Sequence, residues 1–143
     1  MADCYNGYRG VMDMAQIKDY KGAWKCTHWY PSNDRGADDF DEHEMKSYWD
    51  GDTLVLESVP DDSKSYFFVR LTIDDDIATG SWHETATEQS EYKGANYSGY
   101  GQLTVDPKTL LMEGKWAGAG LDRKLSKMRI YTGSWEIKPA QKL

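Results

Sequence analysis

The sequence predicts an all-β domain, an eight-stranded antiparallel up-and-down β-barrel with a short N-terminal helical segment or lid. Aromatic residues make up 13% of the 143 residues, including 6 Trp and 10 Tyr, which is typical of a folded core and not of a disordered chain. From residue 21 onward, short β-type runs alternate with Gly, Asp and Pro turns, and this spacing indicates a barrel or a sandwich. In addition, the tripeptide Gly-x-Trp recurs four times.

The N-terminal part of the chain differs from the remainder. Residues 11–17 are fair helix formers, and they follow two early glycines. We therefore expect an N-terminal helical segment or linker over residues 1–20 and a β-barrel domain over residues 21–143.

The first half of the barrel is predicted from three kinds of turn. A long polar connection over 31–41 separates the first two strands. Asp50-Gly51 lies between the second and third strands, and Asp-Gly between strand-like runs is a strong hairpin signal. A turn at 60–63 and the triplet Asp74-Asp75-Asp76 bound the fourth strand. The five strands span about 22–30, 42–49, 53–59, 66–73 and 77–86.

The second half contains three more strands. A polar loop over 87–96 precedes the sixth strand, Asp106-Pro107-Lys108 forms the next turn, and a Gly-rich, basic connection over 118–127 precedes the last strand. These strands span about 97–105, 110–117 and 128–137. Sequential hairpins favour up-and-down order, and closure of the last strand on the first would remove both exposed sheet edges.

The repeated tripeptide indicates how the interior is filled. Gly and Trp two residues apart point to one face of a strand, where the missing side chain makes room for the large one. We interpret these Trp residues mainly as packing of the barrel floor, with ligand stacking as the alternative for some of them. The four copies are Gly22-Ala23-Trp24, Gly80-Ser81-Trp82, Gly114-Lys115-Trp116 and Gly133-Ser134-Trp135.

These motifs resemble those of known families. Gly22-Ala23-Trp24 resembles the Gly-x-Trp that opens lipocalin barrels, which implies a calycin-like fold. A larger part of the chain, about 22–137, resembles the β-rich module that follows helix-turn-helix domains in some actinobacterial regulators, and that resemblance implies no biochemical activity. A looser likeness is to the cyclic-nucleotide-sensing barrel of bacterial antiphage effectors. The larger resemblance is carried by 78–84, 92–99, 102–103, 114–116 and 133–137.

Alternation along the strands predicts which side chains share the lumen. With each Gly-x-Trp indole pointing inward, a polar and aromatic set shares the upper lumen above an apolar floor, as in a small-molecule site. Its charged members, Glu84 and Arg129, should pair with each other or with a ligand, since an unpaired buried charge costs several kcal/mol. The predicted ligand-binding residues are His28, Tyr30, Trp82, Glu84, Tyr97, Trp116, Arg129 and Tyr131, with His43 nearby.

Charge and motif content exclude several functions. A net charge of −7 leaves no broad basic face for duplex nucleic acid. No apolar run is long enough for a membrane span, and the opening residues lack a signal pattern, so we expect a cytoplasmic protein. In that compartment Cys4 and Cys26 are expected to be free thiols. The three histidines lack zinc-site spacing, and we predict no metal, no cofactor and no catalytic residue from motifs.

Three functions remain open from sequence, while the oligomeric state is undetermined. The first is binding of a nucleotide-like or other aromatic or anionic molecule in the lumen. The second is protein interaction by a barrel filled with its own side chains, and its exposed aromatics would be Trp29, Tyr48, Phe68 and Tyr100. The third is a small isomerase- or cyclase-type enzyme using His28 and Glu84, provided that they lie within water-bridged reach.

Overall fold

The fold is a closed antiparallel barrel in which each of eight strands pairs with the next and β8 pairs with β1. The computed structural model describes residues 20, 22–31, 38–61, 65–86, 96–122 and 126–140, without the side chains at 31, 38, 39 and 122. The order and closure of the strands confirm the predicted all-β up-and-down barrel. The strands are β1 Gly22–Pro31, β2 Asp38–Asp50, β3 Thr53–Ser58, β4 Tyr66–Asp74, β5 Ile77–Thr85, β6 Asn96–Val105, β7 Met112–Asp122 and β8 Lys127–Pro139.

Two strands, β2 and β7, differ most from their predicted bounds. β2 begins at Asp38 and not at residue 42, because residues 38–41 pair with the end of β1. β7 continues to Asp122, so Gly118 and Gly120 are strand residues, contrary to the predicted loop. Local composition predicted a loop in both places. Cross-strand pairing instead makes both segments parts of strands. The predicted N-terminal helix lies outside the described residues.

The predicted Asp50-Gly51 hairpin is present between β2 and β3. Asp50 pairs with Thr53, and Gly51 and Asp52 form the turn. Gly51 has a φ of 62°, a left-handed conformation that glycine adopts without a steric penalty. The hairpin therefore fixes the register of β3, whose Leu54 and Leu56 are fully buried.

All four Gly-x-Trp indoles are buried inside the barrel, at Trp24, Trp82, Trp116 and Trp135. The glycines that accommodate Trp82, Trp116 and Trp135 lie on other strands, one or two positions away in the barrel, and not in the same tripeptide. A Cβ atom on Gly118 would overlap Trp82, and one on Gly133 would overlap Trp116. The prediction that glycine makes room for Trp is thus correct in principle, but the pairing runs across the sheet.

The two ends of the barrel differ in chemistry. We call the end where β1 begins and β2 ends the floor, and the opposite end, where β1 ends and β2 begins, the mouth. At the floor, the buried Tyr20 ring stacks on Trp24 and meets Trp49 edge-on. The Tyr20 carbonyl accepts hydrogen bonds from Trp24 Nε1 and Ser47 Oγ, so this end is closed by packing and hydrogen bonding together.

Candidate functional site

A group of polar side chains lies in the lumen near the mouth. His28 on β1, His43 on β2 and Glu84 on β5 all point inward, in phase with the buried Trp24, Met45 and Trp82 on the same strands. His28 is only 7% exposed and His43 only 3%. The strand alternation that builds the apolar core therefore also brings these three polar groups into the enclosed space.

Aromatic packing surrounds the two imidazoles. The Phe67 ring lies 5.1 Å from the His28 ring and 5.2 Å from the His43 ring, and the two imidazoles are nearly parallel at 5.8 Å. Trp116 meets His28 edge-on at 6.4 Å. Burial among these rings lowers the pKa of His28 to about 4, so its imidazole is neutral at physiological pH.

A hydrogen-bond chain joins His43 to Glu84 through Ser65. The Ser65 hydroxyl donates to Glu84 Oε2 at 2.6 Å, and its oxygen lies 3.0 Å from His43 Nε2. Because the hydroxyl has one proton and gives it to Glu84, His43 Nε2 must be the donor to Ser65. This chain fixes the orientation of the Glu84 carboxyl group.

The Glu84 carboxyl titrates far from its usual range. Burial raises the pKa of Glu84 to about 7, the Ser65 hydrogen bond opposes this shift, and the negative charge of Asp41 adds to it. Asp41 pairs with His28 across β1 and β2, and its Oδ2 lies 3.7 Å from His28 Nε2. Glu84 Oε2 lies 4.0 Å from the same nitrogen. Both distances exceed a direct hydrogen bond.

The remaining predicted residues fall into two groups. Trp82 and Trp116 are buried and meet edge-on at 5.4 Å, and Tyr30, Tyr97 and Tyr131 are half-buried and pack against the core. Trp116 Nε1 donates to the Ser134 carbonyl. Trp82 Nε1 is buried and has no hydrogen-bond acceptor among the described residues.

We expected Arg129 to lie inside the barrel, but the structure places it outside the enclosed lumen. It has the inward phase of β8, but it is exposed, with its guanidinium carbon 5.7 Å from the centre of the Tyr131 ring. Among the described strands, β1 pairs with β8 only over Ser134–Pro139, so the Lys127–Gly133 half of β8 pairs with β7 alone. Strand alternation correctly predicted the face of β8 on which Arg129 lies. At this end of β8, however, β1 does not pair with it and so does not enclose the Arg129 side chain. Because Arg129 is exposed, it is not the buried partner of Glu84 that was one of the two predicted alternatives.

Two residues at the site were not predicted. Asp41 was placed in a loop, and Ser65 precedes the predicted fourth strand. Both are in phase with inward residues two positions further along, His43 and Phe67. Extending the alternation by one step at each strand start would have identified them.

The outer surface also contains aromatic and apolar groups. Tyr48 and Tyr100 are exposed, as the interaction hypothesis expected, whereas Trp29 and Phe68 are half-buried. An open groove of about 820 Å³ is bordered by residues of β1, β6, β7 and β8, including Trp29 and Tyr100. It is an open surface feature and not an enclosed lumen cavity.

No family model, curated protein or solved structure matches the chain. The barrel is compatible with a calycin-like fold. The likeness to the actinobacterial regulator module stays a prediction. In the part of the chain that the structure describes, no helix has the length and apolar character needed to cross a membrane.

Proposed function

We propose that the mouth of the lumen binds a small planar molecule that both donates and accepts hydrogen bonds, as a nucleobase-like heterocycle does. The observation that carries this proposal is the combination of a buried donor and a buried acceptor among aromatic rings. Trp82 Nε1–H is buried without an acceptor among the described residues, and the Glu84 carboxyl group lies two residues further along the same face of β5. Convergent polar groups within an aromatic wall are typical of small-molecule sites.

The charge of the site favours a neutral or cationic ring over an anionic one. Glu84 and Asp41 face His28, which is neutral at physiological pH because its pKa is lowered to about 4. An anionic substituent would be repelled there and held instead at the rim, where Arg129 is exposed. This arrangement accommodates the nucleotide-like ligand expected from sequence, with its ring in the lumen and its charged group outside.

Tryptophan fluorescence tests the proposal directly, since Trp82 and Trp116 line the site. Titration with nucleobases, nucleosides, nucleotides and aromatic amines should quench the fluorescence saturably for at least one class. Glu84→Gln should weaken that binding at least tenfold, because a lost hydrogen bond to a charged group costs about 1.5–3 kcal/mol. Glu113→Gln, an exposed β7 residue with the same change of charge, is the control. Equal affinity in both variants, or no saturable quenching by any class, would contradict the proposal.

Protein interaction is a second candidate, favoured by an apolar strip on the outside of β7 and β8. Leu121, Met128 and Ile130 are 47%, 63% and 79% exposed, and Leu121 pairs with Met128 across the two strands. Exposed aliphatic clusters of this kind are common at interfaces. Sedimentation of the chain and of Ile130→Glu over a concentration series tests self-association. A monomer at every concentration would exclude a second copy as the partner.

The enzyme alternative is compatible with the separation of His28 and Glu84, because 4.0 Å is within the reach of one bridging water. We propose binding ahead of catalysis because the proximity of this pair does not by itself indicate a substrate or a reaction.

A further inference from the structure

We propose that His28, Asp41 and Glu84 form a site for one divalent transition-metal ion at the mouth of the barrel. This inference goes beyond the proposed binding of an organic molecule and does not require it. The three potential ligand atoms are His28 Nε2, Asp41 Oδ2 and Glu84 Oε2, and they all lie within 4.8 Å of one another.

The strands hold these atoms in place. His28 and Asp41 are direct partners in the β1–β2 ladder, and Glu84 reaches them from β5 on another part of the wall. Ligands on paired strands do not depend on loop closure, so the site is largely preformed. The three residues are distant along the chain, which explains why the spacing of the histidines did not predict a metal.

The distances suit convergence on one ion. A metal bound at about 2.1 Å from each ligand separates neighbouring ligand atoms by about 3.0–3.4 Å in octahedral or tetrahedral geometry. The observed separations from His28 Nε2 are 3.7 Å to Asp41 and 4.0 Å to Glu84. Rotamer adjustments of less than about 1 Å would therefore complete the coordination at the imidazole.

The protonation state of the imidazole also suits a metal. His28 is only 7% exposed, and its Nδ1 atom has no hydrogen-bond partner among the described residues, while Nε2 faces the two carboxyl groups. A neutral imidazole offers a lone pair to an ion. A divalent cation would also neutralise the repulsion between Asp41 and Glu84.

Ser65 has the position of an outer-shell residue. The Ser65 hydroxyl donates a hydrogen bond to Glu84 Oε2, the same oxygen that faces His28 Nε2. The Ser65 oxygen in turn accepts a hydrogen bond from His43 Nε2. Bonds of this kind orient metal-binding carboxylates, and their loss typically lowers metal affinity 10- to 100-fold.

The ligand set indicates the class of ion. One imidazole nitrogen with two carboxylates suits Mn²⁺, Fe²⁺, Co²⁺ or Zn²⁺, whereas Mg²⁺ and Ca²⁺ prefer oxygen ligands alone. Cys26 lies two residues before His28 on the same face, but its thiol is completely buried and burial raises its pKa. The Cys26 sulfur is not among the three ligand atoms that converge at the site.

Calorimetric titration of the chelator-treated, dialysed chain with MnCl₂ and with ZnCl₂ tests the site without any organic ligand. We expect one equivalent of at least one ion to bind. Asp41→Asn and Glu84→Gln should each lower the affinity at least tenfold, and Ser65→Ala about tenfold. Asp41 is the safest variant for folding, since its side chain is 48% exposed. Glu113→Gln serves again as the matched control and should keep the wild-type affinity.

Cobalt provides a second readout of metal binding, which is optical and does not depend on the heat of binding. Co²⁺ bound at His28 should quench tryptophan fluorescence, because the Trp116 ring lies 6.4 Å from the imidazole, and His28→Gln should abolish saturable quenching. No saturable binding of Mn²⁺, Zn²⁺ or Co²⁺ to the wild-type chain would overturn the metal site, as would equal losses in Glu84→Gln and Glu113→Gln. Retained binding of an aromatic ligand in such an experiment would leave the proposed function standing.

Discussion

The Nε2 atom of His28 and the Oε2 atom of Glu84 lie 4.0 Å apart in the lumen, and burial moves their pKa values in opposite directions. The pKa of His28 falls to about 4 and the pKa of Glu84 rises to about 7, since burial disfavours the charged form of each group. Neutral imidazole and a protonated carboxyl group are thus the preferred partners below neutral pH. The pKa of the carboxyl group thus lies above that of the imidazole, the reverse of their usual order, and this has measurable consequences.

The Glu84 carboxyl should make the barrel less stable as pH rises. The folded protein holds this proton more tightly than the unfolded chain, so the stabilisation is complete below pH 4.5 and is lost as pH rises through about 7. In Glu84→Gln this contribution is absent. We expect the difference in unfolding free energy between the two proteins to change by about 3 kcal/mol over that window. Urea unfolding in EDTA measures it, and a constant difference would contradict the raised pKa.

His28 should have the opposite effect. Its neutral form is preferred in the folded protein, so stability is fully present above pH 6.5 and is lost as pH falls through about 4. The His28→Gln variant lacks this loss and keeps the Glu84 contribution. Its unfolding free energy relative to that of the wild-type protein should therefore increase as pH is lowered. The same urea titrations between pH 4 and 7 test this, and a relative loss at low pH would show that His28 is not held neutral.

A methyl group on Gly118 should be costly. The new Cβ atom would overlap Cζ2 of the buried Trp82 and crowd the carbonyl oxygen of Ser98. We expect Gly118→Ala to lower the unfolding free energy by about 1–3 kcal/mol, as overpacking of cores does. Ala117→Ser, at the neighbouring exposed position, should change it by less than about 0.5 kcal/mol. Equal stabilities of the two variants would argue against the cross-strand Gly–Trp packing.

Two tyrosines provide a test of closure at the floor. Tyr20 is 3% exposed and packs on Trp24 and Trp49, whereas Tyr100 on the outer wall is 75% exposed. Tyr20→Ala should destabilise the barrel by about 3 kcal/mol, and Tyr100→Ala by less than about 0.5 kcal/mol. Thermal and urea unfolding of both variants give the comparison. Similar losses in both, or none in either, would contradict the packing at the floor.

The Cys26 thiol should react only when the barrel opens. It is completely buried, and burial raises its pKa, so both access and thiolate formation are suppressed. In a Cys4→Ser background, in which Cys26 is the remaining cysteine, we expect labelling by a thiol reagent at a rate set by unfolding. The rate in native buffer and in guanidinium chloride measures this protection. Rapid labelling in native buffer would show that the lumen near His28 is accessible.

Much of the candidate site could be predicted because strand alternation is a local property. Fixing the phase of β1 by Trp24 assigns His28 to the lumen, and fixing that of β5 by Trp82 does the same for Glu84. Asp41 was missed because polar composition suggested a loop where the β1–β2 ladder continues. Arg129 was assigned to the correct face but not to the correct environment.

The sequence by itself determined the closed eight-strand order, the four inward indoles and the inward faces of most strands, because side-chain period and turn chemistry are encoded within a few residues. Only the tertiary structure decided which of those inward groups meet. The contact between His28, Asp41 and Glu84, the bridging position of Ser65 and the exposure of Arg129 depend on the registers between strands and on where β1 stops pairing with β8. Such relationships result from hydrogen bonds and packing between segments that are distant in the sequence, so no local sequence pattern predicts them.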